Sequence, residues 1–176
     1  NWIDNLIHTA EHHRLKIISP SLIEGQLNYD FDSFAIAASK KMKDSLRING
    51  KHAVCLAVHE SVWASIGYFQ PVPKLLGYED TLFFHEVNKA NIPIGMTGAS
   101  WLHHFGSMTQ SAMKQEQGLA KNDNLGYRYN YRLLQQSWLQ RKLSKAHRNH
   151  KIKQWHDSEI SQFDMTMHGL RIHNTF

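Results

Sequence analysis

Two pairs of side chains have the types and spacing for chemistry: Glu79-Asp80 and His103-His104. The acid pair follows Gly77 and opens an apolar, helix-like run, Thr81-Leu82-Phe83-Phe84. Adjacent carboxylates behind a glycine loop suit general-base work on a hydroxyl, or metal ligation. They equally suit the first turn of any helix, where the dipole favours acids, so both readings stand. The histidine pair ends a strand-like run, and neighbours on a strand point to opposite faces. At most one imidazole can therefore share a pocket with the acids. There it would complete a divalent-cation site, or simply hydrogen-bond as a structural residue. Trp63, Tyr68 and Phe69 flank Gly67 upstream of the acids. They read either as core packing or as a stacking surface for a sugar ring. Acid pair and histidine pair fall within about thirty residues, close enough to line one pocket of a compact domain.

The elements that must position these groups alternate between helix and strand. Trp2, Ile3, Leu6, Ile7 and Ala10 recur at helical spacing and predict a helix over 2–13. Leu15 to Ile18 predicts a short strand ended by Ser19-Pro20, with 21–30 a loop turning at Gly25. Phe31 to about Ile48 predicts a helix, and Asn49-Gly50 a turn. His52 to Val58 reads as a buried strand containing Cys55 as a small buried residue. Glu60 to Ile66 reads as a short helix closed by Gly67. A helix from Glu79 to Ala90, apolar along Phe83, Val87 and Ala90, ends at Asn91 in a left-handed cap. Two short strands follow, Ile92–Met96 and Ala99–Leu102. Ser107 suits the cap of a further helix. A long basic helix over about 127–153 carries a stripe of Leu133, Leu134, Trp138, Leu139 and Leu143. Residues 154–176 show no clear pattern. The whole predicts an α/β layered domain.

With 176 residues, one domain is the default, and 41% apolar content is enough for a core and too much for a disordered chain. No apolar run reaches the roughly 20 residues of a membrane-spanning helix. A single cysteine forms no intrachain disulfide, which fits a reducing, cytosolic compartment. Charge is uneven. Residues 1–110 hold nine basic and ten acidic residues, 111–153 hold ten and two, and 154–176 hold one and three. A near-neutral body thus carries a strongly basic segment, which reads as a solvated helix face or as a contact for phosphate-rich partners or an anionic membrane.

In order and spacing, these features resemble the acceptor-side half of family 2-type, GT-A-fold glycosyltransferases. The resemblance is carried by Val54–Val58, Ser65-Ile66-Gly67-Tyr68-Phe69, Gly77-Tyr78-Glu79-Asp80, Lys89-Ala90-Asn91, Ile92–Met96 and Leu102-His103-His104-Phe105-Gly106-Ser107, and covers about residues 1–110. It departs from the family at Leu82, where a further acid is common, and at Asn91, where glycine is usual. The family's nucleotide-binding half, with its Asp-x-Asp motif, does not precede Asn1. The chain is therefore expected to be the C-terminal part of a longer enzyme.

The resemblance implies a partial GT-A-like mixed sheet flanked by helices over 1–110, with a basic, mainly helical extension over 111–176. It implies inverting transfer of a sugar from a nucleotide-sugar donor to a hydroxyl of a glycan or lipid-linked acceptor, and no nucleic-acid partner. Asp80 takes the place of the base, Glu79 that of its partner, and His103, with His104 as the alternative, that of the histidine near a divalent cation (Mg or Mn) whose other ligands lie partly outside the chain. Trp63, Tyr68, Phe69 and Gly77 are the expected substrate contacts. A metal-dependent hydrolase and a non-catalytic module for anionic polymer or membrane are the rival readings. The basic helix is expected either to pack its stripe on the body or to lay it, salt-sensitively, on the cytoplasmic membrane face.

Overall fold

A computed structural model of the chain describes residues 1–70, 79–106, 108–116, 118 and 136–170. It is an α/β fold around a five-stranded mixed sheet. The elements are α1 (Trp2–His12), β1 (Ile17–Glu24), α2 (Phe31–Lys41), β2 (Leu46–Ile48), β3 (Ala57–Val58), α3 (Glu60–Ile66), α4 (Glu79–Lys89), β4 (Ile94–His104), α5 (Met108–Glu116), α6 (Trp138–Phe163) and β5 (His168–Leu170). The strand order is β2-β4-β1-β3, with β5 also on β1. β1 and β4 run parallel through the centre, and β2 lies antiparallel on the far side of β4.

β1 does not end at Pro20, as the sequence suggests; it continues to Glu24 and is buried almost throughout. The reason is where its neighbours lie. On the edge away from β4, β3 pairs with Ile17 and Ile18, and β5 pairs with Leu22, Ile23 and Glu24. Pro20 falls in the gap between them, where its missing N–H leaves no ladder bond unmade. The two short strands expected over 92–102 are one strand, β4, with a bulge. Thr97 pairs with Pro20 and Trp101 with Ser21, so Gly98, Ala99 and Ser100 stand out of register. Their polar groups are satisfied elsewhere. Gly98 N–H donates to Ser45 O at 3.0 Å. Ala99 O accepts from Asn5 Nδ2 at 3.0 Å, and Ser100 Oγ donates to Trp2 O at 2.7 Å. A Cβ on Gly98 would sit 2.6 Å from Met42 O, so only glycine fits this close backbone approach.

Ile17 and Ile18 are consecutive and face opposite sides of the sheet. Ile17 packs with Ile94, Val62, Phe83, Phe84 and Val87, under α3 and α4. Ile18 packs with Leu6 and Leu15, under α1. A third cluster, around Ile23, Met42, Met96, Trp101, Met165 and Met167, joins α2 to the segment before β5. The α2 helix starts where the Asp30 carboxylate accepts from Ser33 N–H at 2.8 Å, and it stops at Lys41 instead of reaching Ile48, since β2 pairs with β4. Of the strand expected over 52–58, only Ala57 and Val58 pair; Val54 is exposed and Cys55 lies half-buried outside any strand. α3 and its Gly67 terminus, φ 78°, fall where the sequence places them, as does Asn91, φ 52°. Ala90 is exposed, and Phe84 takes the buried place expected of it.

The tail is more ordered than its composition suggests. A capping box opens α6: Gln140 N–H donates to Ser137 Oγ at 3.2 Å, and Ser137 N–H to Gln140 Oε1 at 2.7 Å. The helix then runs to Phe163, through residues without visible pattern. Glu159, on its buried face, clamps three elements. Its carboxylate takes both Nε and Nη2 of buried Arg47 on β2, the latter at 2.6 Å, and accepts Met167 N–H at 2.8 Å. Trp138, Leu139 and Leu143 do not pack on the body; they are 61%, 58% and 62% exposed. Leu133, Leu134, Gly77 and Ser107 lie outside the described residues. Among the described residues, no helix is long and apolar enough to cross a membrane.

Candidate functional site

α4 carries the acid pair in its first turn, where helix-dipole stabilisation of carboxylates is largest. Asp80 Oδ1 accepts from Thr81 N–H at 2.6 Å and lies 3.3 Å from Thr81 Oγ1. Both partners belong to the next residue, so the other carboxylate oxygen has no partner among the described residues. Glu79 and Asp80 are half-buried. One turn further on, Phe83 points into the core and forms the floor of an aromatic cluster. Phe69 lies 4.6 Å and Trp63 5.4 Å from its ring. Tyr68 stacks on Trp63 at 5.2 Å, with only 17° between the rings, and is 75% exposed. Gly67 lets the chain turn back from α3, which brings Tyr68 and Phe69 over Trp63. The structure therefore brings Trp63, Tyr68 and Phe69 together on Phe83, one turn along the helix that begins with the acid pair.

It does not join the histidine pair to them. Among the described residues, no hydrogen bond, ion pair or ring contact connects His103 or His104 with Glu79 or Asp80. The two pairs also belong to different parts of the core. Phe83 and Phe84 pack at the starts of β1 and β4, whereas the histidines end β4. His103 Nε2 donates to Gly25 O at 2.5 Å, and its ring lies between Phe31 and Phe105 at 5.5 and 4.2 Å. It is the structurally bonded histidine of the pair.

His104 belongs to a group that the sequence does not announce. Its Nδ1 is 3.4 Å from Glu24 Oε1, and His168 Nε2 is 3.5 Å from Glu24 Oε2. The His168 ring in turn meets His52 edge-on at 4.8 Å. Glu24 and His104 end two parallel strands, the end of an α/β sheet at which ligands usually bind. His168 comes from β5, which the sequence reading does not contain. His52 is pushed down to about 4, chiefly by burial, then by His168 and Arg47. It is neutral at pH 7. No local motif links residues 24, 52, 104 and 168; the nearest signal is Glu24-Gly25, acid and turn, at the end of an apolar stretch.

The expected cation was tested against these groups. Among the described residues, no three histidine, cysteine, aspartate or glutamate side chains are placed to hold a metal ion. The Nε2 of His103 is also engaged by a backbone carbonyl. The described residues thus do not assemble a cation site around His103. No family model matches the chain, and no curated protein or solved structure matches it either.

Proposed function

We propose that the chain is the acceptor-side part of an inverting glycosyltransferase of the family 2 type with a GT-A-like fold. The observation that carries this reading is the exposed Tyr68–Trp63 stack, seated through Phe83 on the helix whose first turn holds Asp80. A sugar ring laid on such a platform presents hydroxyls to a carboxylate one turn away. Asp80 then takes the proton from the acceptor hydroxyl as its oxygen attacks the anomeric carbon of the donor sugar, and nucleoside diphosphate departs from the opposite face. Glu79 is the supporting acid, and Trp63, Tyr68, Phe69 and Gly77 are the acceptor contacts. A divalent cation, with His103 as one ligand and the others outside the chain, is part of the resemblance and carries no step here.

The decisive experiment incubates the intact protein with a panel of nucleotide sugars, with and without acceptor glycans. Acceptor-dependent release of nucleoside diphosphate supports transfer. Release without acceptor marks a hydrolase, and binding without turnover that salt abolishes marks a module for anionic polymer. In a competent enzyme, Asp80→Asn should cut turnover by about a hundredfold or more, the usual worth of a general base, while leaving donor affinity almost unchanged.

A second reading concerns where the protein works. The exposed Trp138, Leu139 and Leu143 lie beside Lys142, whose Nζ sits 4.1 Å over the Trp138 ring. An apolar stripe flanked by cations suits reversible attachment to an anionic membrane, at the cytoplasmic face on this reading, where a lipid-linked acceptor would be met. Co-sedimentation with anionic and neutral vesicles at low and high salt tests it; equal binding to both vesicle types, or none to either, removes it.

A further inference from the structure

A groove of about 840 Å³ runs between α6, the β2 turn with the residues after it, and the turn joining α4 to β4. It is distinct from the acid and aromatic site. Lys51 enters it from the chain after β2; Arg148, Lys151 and His156 enter from α6. Among the described residues, no acidic side chain lines it. Arg47, at its base, is neutralised by Glu159, but Lys51, Arg148 and Lys151 have no acidic partner among the described residues. Two of these cations are held in place by aromatic faces. Lys51 Nζ lies 4.6 Å from the Phe84 ring centre, and Lys151 Nζ lies 5.1 Å from that of Trp155.

One group registers the uncompensated charge: Lys51 is lowered by burial and then by Lys151. Cations that repel one another in a half-buried groove gain most from an anion able to meet several at once. The volume suits a small ligand and not a folded partner.

We propose that this groove is a binding site for a small phosphate-bearing anion, held by Lys51, Arg148 and Lys151 between α6 and the sheet. The proposal stands whether or not the chain transfers sugars. Inorganic pyrophosphate is the probe, titrated calorimetrically into the full chain. Saturable, salt-weakened binding is expected. Lys151→Gln and Arg148→Gln should each weaken it about tenfold, as for loss of one charge-assisted hydrogen bond, and Lys51→Gln with Lys151→Gln should abolish it. Lys153→Gln, the same charge change on the same helix outside the groove, should leave it unchanged. Vesicles bearing phosphatidic acid separate the sources of phosphate: displacement of pyrophosphate by them, lost in the same variants, assigns a lipid headgroup, and no displacement assigns a soluble ligand. Absence of saturable binding by the intact chain, or equal weakening in Lys153→Gln and the groove variants, overturns the proposal. Circular dichroism and thermal melts of each variant show that a lost signal is not lost folding.

Discussion

Arg47 and Lys151 line the same groove and even share Trp155, yet they stand in opposite electrostatic situations. Arg47 lies 5.3 Å from the Trp155 ring centre and is buried, with both carboxylate oxygens of Glu159 on its guanidinium. Lys151, on the same ring, has no acid among the described residues. A charge that is buried and fully paired contributes to the architecture, because neither member can be removed without stranding the other. A cation held in position without a counter-charge contributes nothing comparable to folding and leaves a potential for something else to fill. Two side chains of one sign, about one ring apart, thus serve different ends, and what separates them is the partner each has.

The sharpest way to break this comparison is to strand Arg47. Glu159→Ala should lower unfolding free energy by about 3–5 kcal/mol, measured by urea denaturation, since it leaves a buried guanidinium uncompensated and frees Met167 N–H. Replacing both partners by apolar residues, Arg47→Met with Glu159→Leu, should recover most of that loss. If Glu159→Ala unfolds no more easily than the parent, the clamp does not hold the tail to the sheet.

The second test uses protons. His52 has a folded value near 4 against 6.5 for a free imidazole, so the unfolded chain takes the proton first. Stability should be intact above about pH 6.5 and should fall as the pH drops toward 4, levelling below that. The groups facing His52 are His168, Arg47, Glu24 and His104, so each proton arriving there adds to a positive surround that Glu24 only partly offsets. His52→Gln should flatten this part of the profile, and thermal melts across the range would read it. An unchanged slope would mean that other groups set the acid limit.

The smallest expected effect falls on the unpaired side. Lys151→Gln removes a repulsion with Lys51 and no ion pair, so stability should hold or rise, within the few tenths to about 1 kcal/mol usual for surface charges. A loss larger than that would show that Lys151 is structural after all, and the contrast with Arg47 would collapse.

What the sequence makes legible follows from how far each signal reaches. Residues 60–66 read correctly as α3 because an acid, an apolar face and Gly67 lie within one turn or two of each other. The end of α4 at Asn91 is equally local. β1 is misjudged at Pro20 because the rule against proline in a strand depends on what lies opposite, and the gap between β3 and β5 is a tertiary fact. β4 is read as two strands because a bulge shifts the alternation partway along. Of the expected site, the aromatic residues gather on Phe83, which belongs to the helix that carries the acid pair in its first turn. The histidine pair does not join them, and the group around Glu24 is invisible in advance because its members gather from residues 24, 52, 104 and 168. Glu159 escapes notice for the same reason: an acid in a polar stretch beside Asp157 looks solvated until Arg47, 112 residues earlier, is placed against it.

The pairing of Leu22 with His168 also bears on when the molecule can be completed. A ribosome delivers residues in order, at roughly 5–20 per second, and early segments begin to collapse as they emerge. β1 is made well before β5, and the half of its outer edge beyond Pro20 has no β5 partner until that strand appears. Contacts of such sequence separation are slow to close, because the loop entropy is lost before the contact rewards it. Between the synthesis of β1 and that of β5, then, an apolar strand is left with open backbone groups along Leu22, Ile23 and Glu24. A nascent chain of this protein is at its most vulnerable to pairing with another copy of itself in that interval, and a chaperone that covers extended apolar segments would find its substrate there.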